Sequence, residues 1–293
     1  MRGTQFGMRC AIAAGGVVLM VGLTACGSEK SGGDDKAGDK AGQSLGSPLS
    51  ALKLASERTD AQHSAKVEGT TQMGQGSSEM SGDMDWADGI RANMTITQKG
   101  GAVASSPVEG KPLQARYTPD AMFMNMGPEF AAQAGHGKHW IKYDYDALVK
   151  QAGPSGAFLK DQMQNNNPSR SVQLLLATGK VKSVGSEDVR GVKATHYTGT
   201  VKVSEIAKMQ SKDLSQSELD ALQKQLETSG MDTETIDLWI DGKNLLVKKR
   251  EQAQSNNGAY DSTVFYSDYG TTVSVQEPAS SDTMDFQQLA PQQ

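Results

Sequence analysis

Cysteine is nearly missing from this chain: Cys10 and Cys26 are the only two in 293 residues. A disulfide framework and a thiolate zinc site, which need several cysteines, are excluded. Aromatic residues make up only 5%, so a core has to be built from aliphatic side chains and methionine. No apolar run reaches the ~20 residues of a membrane-spanning helix, which excludes a multi-span membrane protein. No block of Lys or Arg occurs and the net charge is −5, which argues against nucleic acid as a partner. Also lacking are a G-x-S-x-G nucleophile elbow, a Walker phosphate loop and a G-x-G-x-x-G fingerprint.

What is present begins with the N-terminus. Residues 1–25 carry Arg2 and Arg9, no acid, and an uncharged run from Ala11 to Ala25. That run suits the apolar region of a signal peptide. It ends Leu23-Thr24-Ala25-Cys26, after which the chain turns polar at once. This pattern resembles the bacterial lipoprotein signal, which implies cleavage before Cys26 and a diacylglyceryl group, with palmitate-type acylation, on its sulfur. Met8 serves as well as Met1 for a start, because a complete short signal follows either. Removal of 1–25 leaves 27 basic against 34 acidic residues, a net charge of −7, and no cysteine except the acylated one. Two acyl chains anchor firmly where one is marginal. The expected location is therefore the extracytoplasmic face of the cell membrane, lipid-anchored.

From Cys26 to Ser47 the chain is rich in Gly, Ser, Asp and Lys, with Leu45 as the sole large apolar residue. Such a segment cannot bury enough surface to fold. It reads as a tether, with an average reach of ~25 Å as a flexible coil. Ser47-Pro48 is an N-cap followed by a first-turn proline, and Leu49, Leu52 and Ala55 form a helical stripe. From Ala65 the period becomes two: Ala65 and Val67, then Met80 and Met84 with Trp86, then Ile90, Met94 and Ile96. Further strands are expected near 113–118, 121–126 and 139–143. A helix over Tyr145 to Ala152, closed by Gly153-Pro154, precedes a second, capped by Asn167 and ending at Gly179. Strands return at 181–189 and 194–201, followed by helices near 203–210 and 216–229. Strands at 233–240, 245–253, 260–268 and 271–276 complete the pattern, and 287–293 is expected to be a loose tail. No strand–helix–strand repeat occurs, so the reading is α+β: one domain over 48–286, an antiparallel sheet interrupted by short helices.

Catalytic chemistry finds little support. His136 and His139 lie close together but have no third ligand nearby, while His63 and His196 are isolated. Asp83, Asp85, Asp88 and Gly89 faintly resemble a calcium loop, but Met94 stands where its twelfth-position acid belongs. No metal, no cofactor and no catalytic residue are assigned, and the chain reads as non-enzymatic.

Methionine is the outstanding feature. Eleven of the 14 lie in the mature chain, and seven fall between 73 and 126. Met80 and Met84 share a strand face with Trp86, Met94 lies with Ile90 and Ile96, and Met122, Met124 and Met126 alternate on a third. Three readings stand: filler for a core short of aromatics, lining for flexible apolar ligands, and Cu(I) ligation by thioethers. With Leu238, these nine residues form the candidate lining of an apolar cavity.

The layout of lipobox, tether, first helix, long meander and inserted helices resembles the LolA-like superfamily, in its actinobacterial LppX/LprG-type branch. Four stretches carry the likeness: Gly137 to Asp144 (GKHWIKYD), Val184 to Gly199 (VGSEDVRGVKATHYTG), Leu238 to Val247 (LWIDGKNLLV), and Tyr269-Gly270 before the terminal section. The resemblance implies a half-barrel, a curved antiparallel sheet with helices over its concave face and an apolar cavity between them. Relatives hold acyl chains or lipidated molecules there, and others use the fold to sense. The expectation is a membrane-anchored, lipid-binding lipoprotein. Its rival is a cell-surface module that binds an envelope protein partner, with the half-barrel as scaffold.

Overall fold

The computed structural model describes residues 47–210, 232–256 and 258–289, with scattered residues between 216 and 230. The expected signal segment, Cys26, nearly all of the tether and most of the 216–229 helix lie outside the described residues.

Helix α1 (Pro48–Asp60) starts as its sequence dictates: the Ser47 hydroxyl accepts a hydrogen bond from the Ser50 amide, and Pro48 occupies the first turn. An antiparallel run follows: β1 (Ser64–Met73), β2 (Gly76–Asp85), β3 (Arg91–Gly100), β4 (Pro112–Tyr117), β5 (Ala121–Asn125) and β6 (Trp140–Asp144). Short helix α2 (Gly127–Gln133) lies between β5 and β6. Three helices then interrupt the sheet: α3 (Tyr145–Ala152), α4 (Pro154–Gln164) and α5 (Pro168–Thr178). Asp144 caps α3 and Asn167 caps α5, each side chain accepting the amide three residues on, and Gly179 closes α5 in the left-handed conformation. The second run is β7 (Lys182–Val189) and β8 (Val192–Lys202), helix α6 (Val203–Gln210), then β9 (Thr233–Asp241), β10 (Leu246–Ser255) and β11 (Gly258–Ser267). Strand β12 (Thr283–Asp285) ends the sheet.

Among the described residues, twelve strands form one open sheet in the order β12-β6-β5-β4-β3-β2-β1-β11-β10-β9-β8-β7. The two meanders meet where β1 pairs antiparallel with β11, Val67 opposite Tyr266. All pairings are antiparallel except β12, which lies parallel to β6. The α+β class and the open antiparallel sheet with short helices are as the sequence led one to expect.

Two local expectations need correction, and one helix was not foreseen. Gly153-Pro154 closes α3 as expected, but α4 starts there at once. Gly153 adopts φ +54 and turns the chain, and Pro154 opens α4 at its favoured first position. Residues 271–276 do not form a ladder strand. They run as an extended strap, held where Asn93 Nδ2 donates to the Ser274 carbonyl at 2.9 Å and Arg116 to that of Gln276 at 2.7 Å. Alternating residues suit an extended crossing as well as a strand, so periodicity could not separate them. Met126 follows β5 rather than continuing its face, and caps α2.

Candidate functional site

Strand registers decide which side chains share a face. Ala65, Val67 and Gly69 of β1 lie opposite Met84, Gly82 and Met80 of β2, which lie opposite Ala92, Met94 and Ile96 of β3. The same face continues through Leu113, Ala115 and Tyr117 to Met122 and Met124, and then through Ile141 to Met284. On the other side of β1 it runs through Val264 and Tyr266 to Lys249, Leu238 and Tyr197. The helices lie on this inner face. Leu52 and Ala55 of α1, Val172 and Leu175 of α5 and Ile206 of α6 pack into one buried cluster with Val67, Met84, Met94, Leu238 and Val264. Tyr145 and Leu148 of α3, with Leu159 and Met163 of α4, pack into a second with Met122, Met124, Ile141 and Met284.

Seven of the ten residues expected to line a cavity therefore share one face: Met80, Met84, Met94, Ile96, Met122, Met124 and Leu238. Trp86 and Ile90 lie just beyond the ends of β2 and β3, buried in the first cluster, with Trp86 Nε1 donating to the Asp60 carbonyl at 3.1 Å. Met126 is half-buried at the edge of the second cluster. Half-buried Ile96 and Tyr117 touch both clusters and mark the seam between them. Burial pushes the Tyr117 hydroxyl up to about 12, so it is neutral at physiological pH and able to donate. Gly82 permits the close approach of β2 and β3, since a Cβ there would stand 2.0 Å from the Asn93 carbonyl oxygen.

Sequence reasoning missed a charged cluster on the same face. Glu234, Lys249 and Glu251 are only 5, 8 and 8% exposed. Lys249 Nζ donates to both Glu251 oxygens, at 3.1 and 3.2 Å, and the Ser171 hydroxyl of α5 donates to Glu251 Oε1 at 2.8 Å. Burial works against the Lys249 ammonium, yet the Glu251 carboxylate, helped by Tyr266 and Tyr260, more than offsets it and raises its pKa. Burial raises the Glu234 carboxyl well above the usual range. The nearby Glu251 charge adds to this, and Lys249 offsets part of it. The available signal was the alternation itself: Glu234 keeps phase with Ile236 and Leu238, so its face was the apolar one.

The histidines do not converge. His139 Nδ1 pairs with Asp282 at 2.7 Å, while His196 bridges Glu187 and Asp237 at 3.0 and 2.8 Å and stacks on Trp239. Among the described residues no group of three or more His, Cys, Asp or Glu is arranged to hold a metal. A cleft of about 760 Å³ opens where the end of α1 meets the hairpin turns, lined by Arg58, Arg190, Lys243, Phe265 and Tyr269 among others. A smaller one of about 340 Å³ lies beside His136, Lys138 and Met284.

No known family model matches the chain. It is 47% identical over 254 residues to an uncharacterized 31.2 kDa protein of Streptomyces griseus, which covers 85% of this chain and 82% of that one. It is 35% identical over 266 residues to a Streptomyces coelicolor protein named "Putative lipoprotein", covering 90% and 84%. Among solved structures it is similar to LprF from Mycobacterium bovis, with a TM-score of 0.48 at 16% identity over 79% of this chain and 96% of that one. It is similar to the Mycobacterium tuberculosis lipoprotein LppX to the same TM-score and identity, over 78% and 97%.

Proposed function

This chain belongs to the family of these two Streptomyces proteins, and from that premise we propose that it is a lipoprotein anchored through Cys26 that binds an apolar ligand between its sheet and helices. The supporting observation is the inner face. Methionines from three strands line it, at Met80 and Met84 of β2, Met94 of β3, and Met122 and Met124 of β5, and the helices over it pack in two clusters rather than one. Unbranched, polarisable side chains adapt to chains of varied shape. Each methylene moved from water onto such a face contributes ~0.8 kcal/mol, so one acyl chain supplies enough to hold a lipid.

The cover can move at the seam. Helix α4 contributes half-buried side chains such as Leu159 and Met163 to the second cluster. Polar ties hold it: Arg170 to Asp161, Lys160 to Asp146, and Gln164 Nε2 to the Pro119 carbonyl at 2.8 Å. A helix held on the sheet through half-buried side chains and polar ties of this kind can open locally without global unfolding. Opening α4 uncovers the face of Met122 and Met124, and attachment through Cys26 lets that opening approach the bilayer. Binding requires no catalytic step.

Native mass spectrometry of residues 27–293, purified from source cells without detergent, tests this reading. Excess mass that organic extraction resolves as a membrane lipid is the expected result. A clean apo mass with no uptake of offered lipids overturns it and favours a surface module that binds a protein partner.

A further inference from the structure

The inner face is graded. Across β2 to β6 it is mostly apolar, but on β9 to β11 it carries Glu234, Lys249, Glu251, Tyr260 and Ser262, all buried. Cross-strand register extends this polar patch into a row, Glu251 opposite Ser262, Ser262 opposite Thr71, and Thr71 opposite Ser78. Thr71 Oγ1 and Ser262 Oγ are 3.1 Å apart. Toward β2 the row is only half-buried, and Met73 in the adjoining row is 42% exposed, so the polar patch communicates with solvent there.

The charges within the patch do not balance. Two carboxyls face one ammonium, and Lys249 is committed to Glu251 through both carboxylate oxygens. Among the described residues, no hydrogen bond reaches the Glu234 carboxyl. Among the described residues the groups around it offer no second cation: Val201 and Ala253 stand opposite it on β8 and β10, Tyr260 lies beyond Ala253 on β11, and Ser171 comes from α5. A buried carboxylate without a counter-charge is costly, so burial favours the protonated form of Glu234.

We propose that this patch seats the ammonium of an amine-bearing head group, belonging to an amphiphile whose chains lie along the methionine face. The inference rests on the reading of that face as a ligand wall. An ammonium replaces the missing positive charge and donates up to three hydrogen bonds to Glu234 and its neighbours. An anionic head group finds no free cation there, because Lys249 is committed to Glu251, and it blocks ionisation of Glu234. A neutral head group gains hydrogen bonds but leaves the charge of Glu234 uncompensated. When the amine enters, the Glu234 proton leaves.

Delipidated residues 27–293 are offered phosphatidylethanolamine, phosphatidylglycerol and diacylglycerol with the same chains, and loading is read by native mass spectrometry. The expected result is that the amine-headed lipid loads over the anionic one by about tenfold, the scale of one desolvated charge pair. In Glu234→Gln, which keeps the shape and removes the charge, that preference collapses while diacylglycerol still loads. Equal loading of the amine-headed and anionic lipids by the native protein overturns the inference, as does a preference that survives in Glu234→Gln. Either result leaves the apolar reading of the face intact. Failure of all three lipids to load overturns both.

Discussion

The Ser171 hydroxyl donates to the Glu251 carboxylate at 2.8 Å, and this bond fastens α5 to the inner face of β10. It joins a helix to a strand 80 residues later in the chain, in a region otherwise packed by Val172, Leu175 and Ile236. Ser171→Ala removes one donor from a buried carboxylate that Lys249 still neutralises. The expected cost is about 1–3 kcal/mol in urea unfolding, with faster amide exchange in α5 than in β10.

Lys249 carries more. Lys249→Met leaves Glu251 buried without its counter-charge, and unfolding at neutral pH should show a loss of about 3–5 kcal/mol. Adding Glu251→Gln removes the stranded charge and should recover much of that loss. Strong non-additivity in the double-mutant cycle is the signature of the pair. Additive losses would show that the two side chains act independently.

The raised Glu234 carboxyl sets a pH dependence with a definite sign. Between the ordinary glutamate value of 4.5 and its raised folded value, the folded chain holds a proton that the unfolded chain has released. Stability therefore falls as pH climbs through that window and stays lower above it. Glu234→Gln should remove this decline and be the more stable protein at pH 8, which chemical denaturation across pH 4–9 measures. A native profile identical to that of Glu234→Gln would refute the assignment.

Gly82 has no room for a methyl group. In Gly82→Ala the Cβ would lie 2.0 Å from the Asn93 carbonyl oxygen and 2.9 Å from the Met94 Cα, so backbone rather than a flexible side chain has to move. A loss of roughly 1–3 kcal/mol is expected, read as a fall in thermal midpoint. The same shift displaces Met94 on the inner face, so lipid loading should fall with it.

Cys26→Ser removes the sulfur that acylation requires. The variant should move from the membrane to the soluble fraction and lose incorporation of a labelled fatty acid. Retention of both would show that the anchor lies elsewhere.

The sequence by itself determined the elements. Alternation at Ala65 to Val67, Met80 to Met84 and Met122 to Met124 specified strands with one apolar face, because strand side chains repeat every two residues. Ser47, Asp144 and Asn167 announced helix starts through the cap bonds they make. Seven of the ten proposed lining residues were found together because each strand's periodicity already placed them on its apolar face.

Only the tertiary structure decided how those faces join. The pairing of β1 with β11 brings residues about 200 positions apart into register, and nothing local in either strand names the other. The same pairing places Thr71 beside Ser262, and the stacking of β9, β10 and β11 brings Glu234, Lys249 and Glu251 together. Read along the chain, each of these is an ordinary polar residue in a strand. Their burial, and the charge imbalance it makes costly, arises only when α5 closes over the sheet and excludes water from three strands at once.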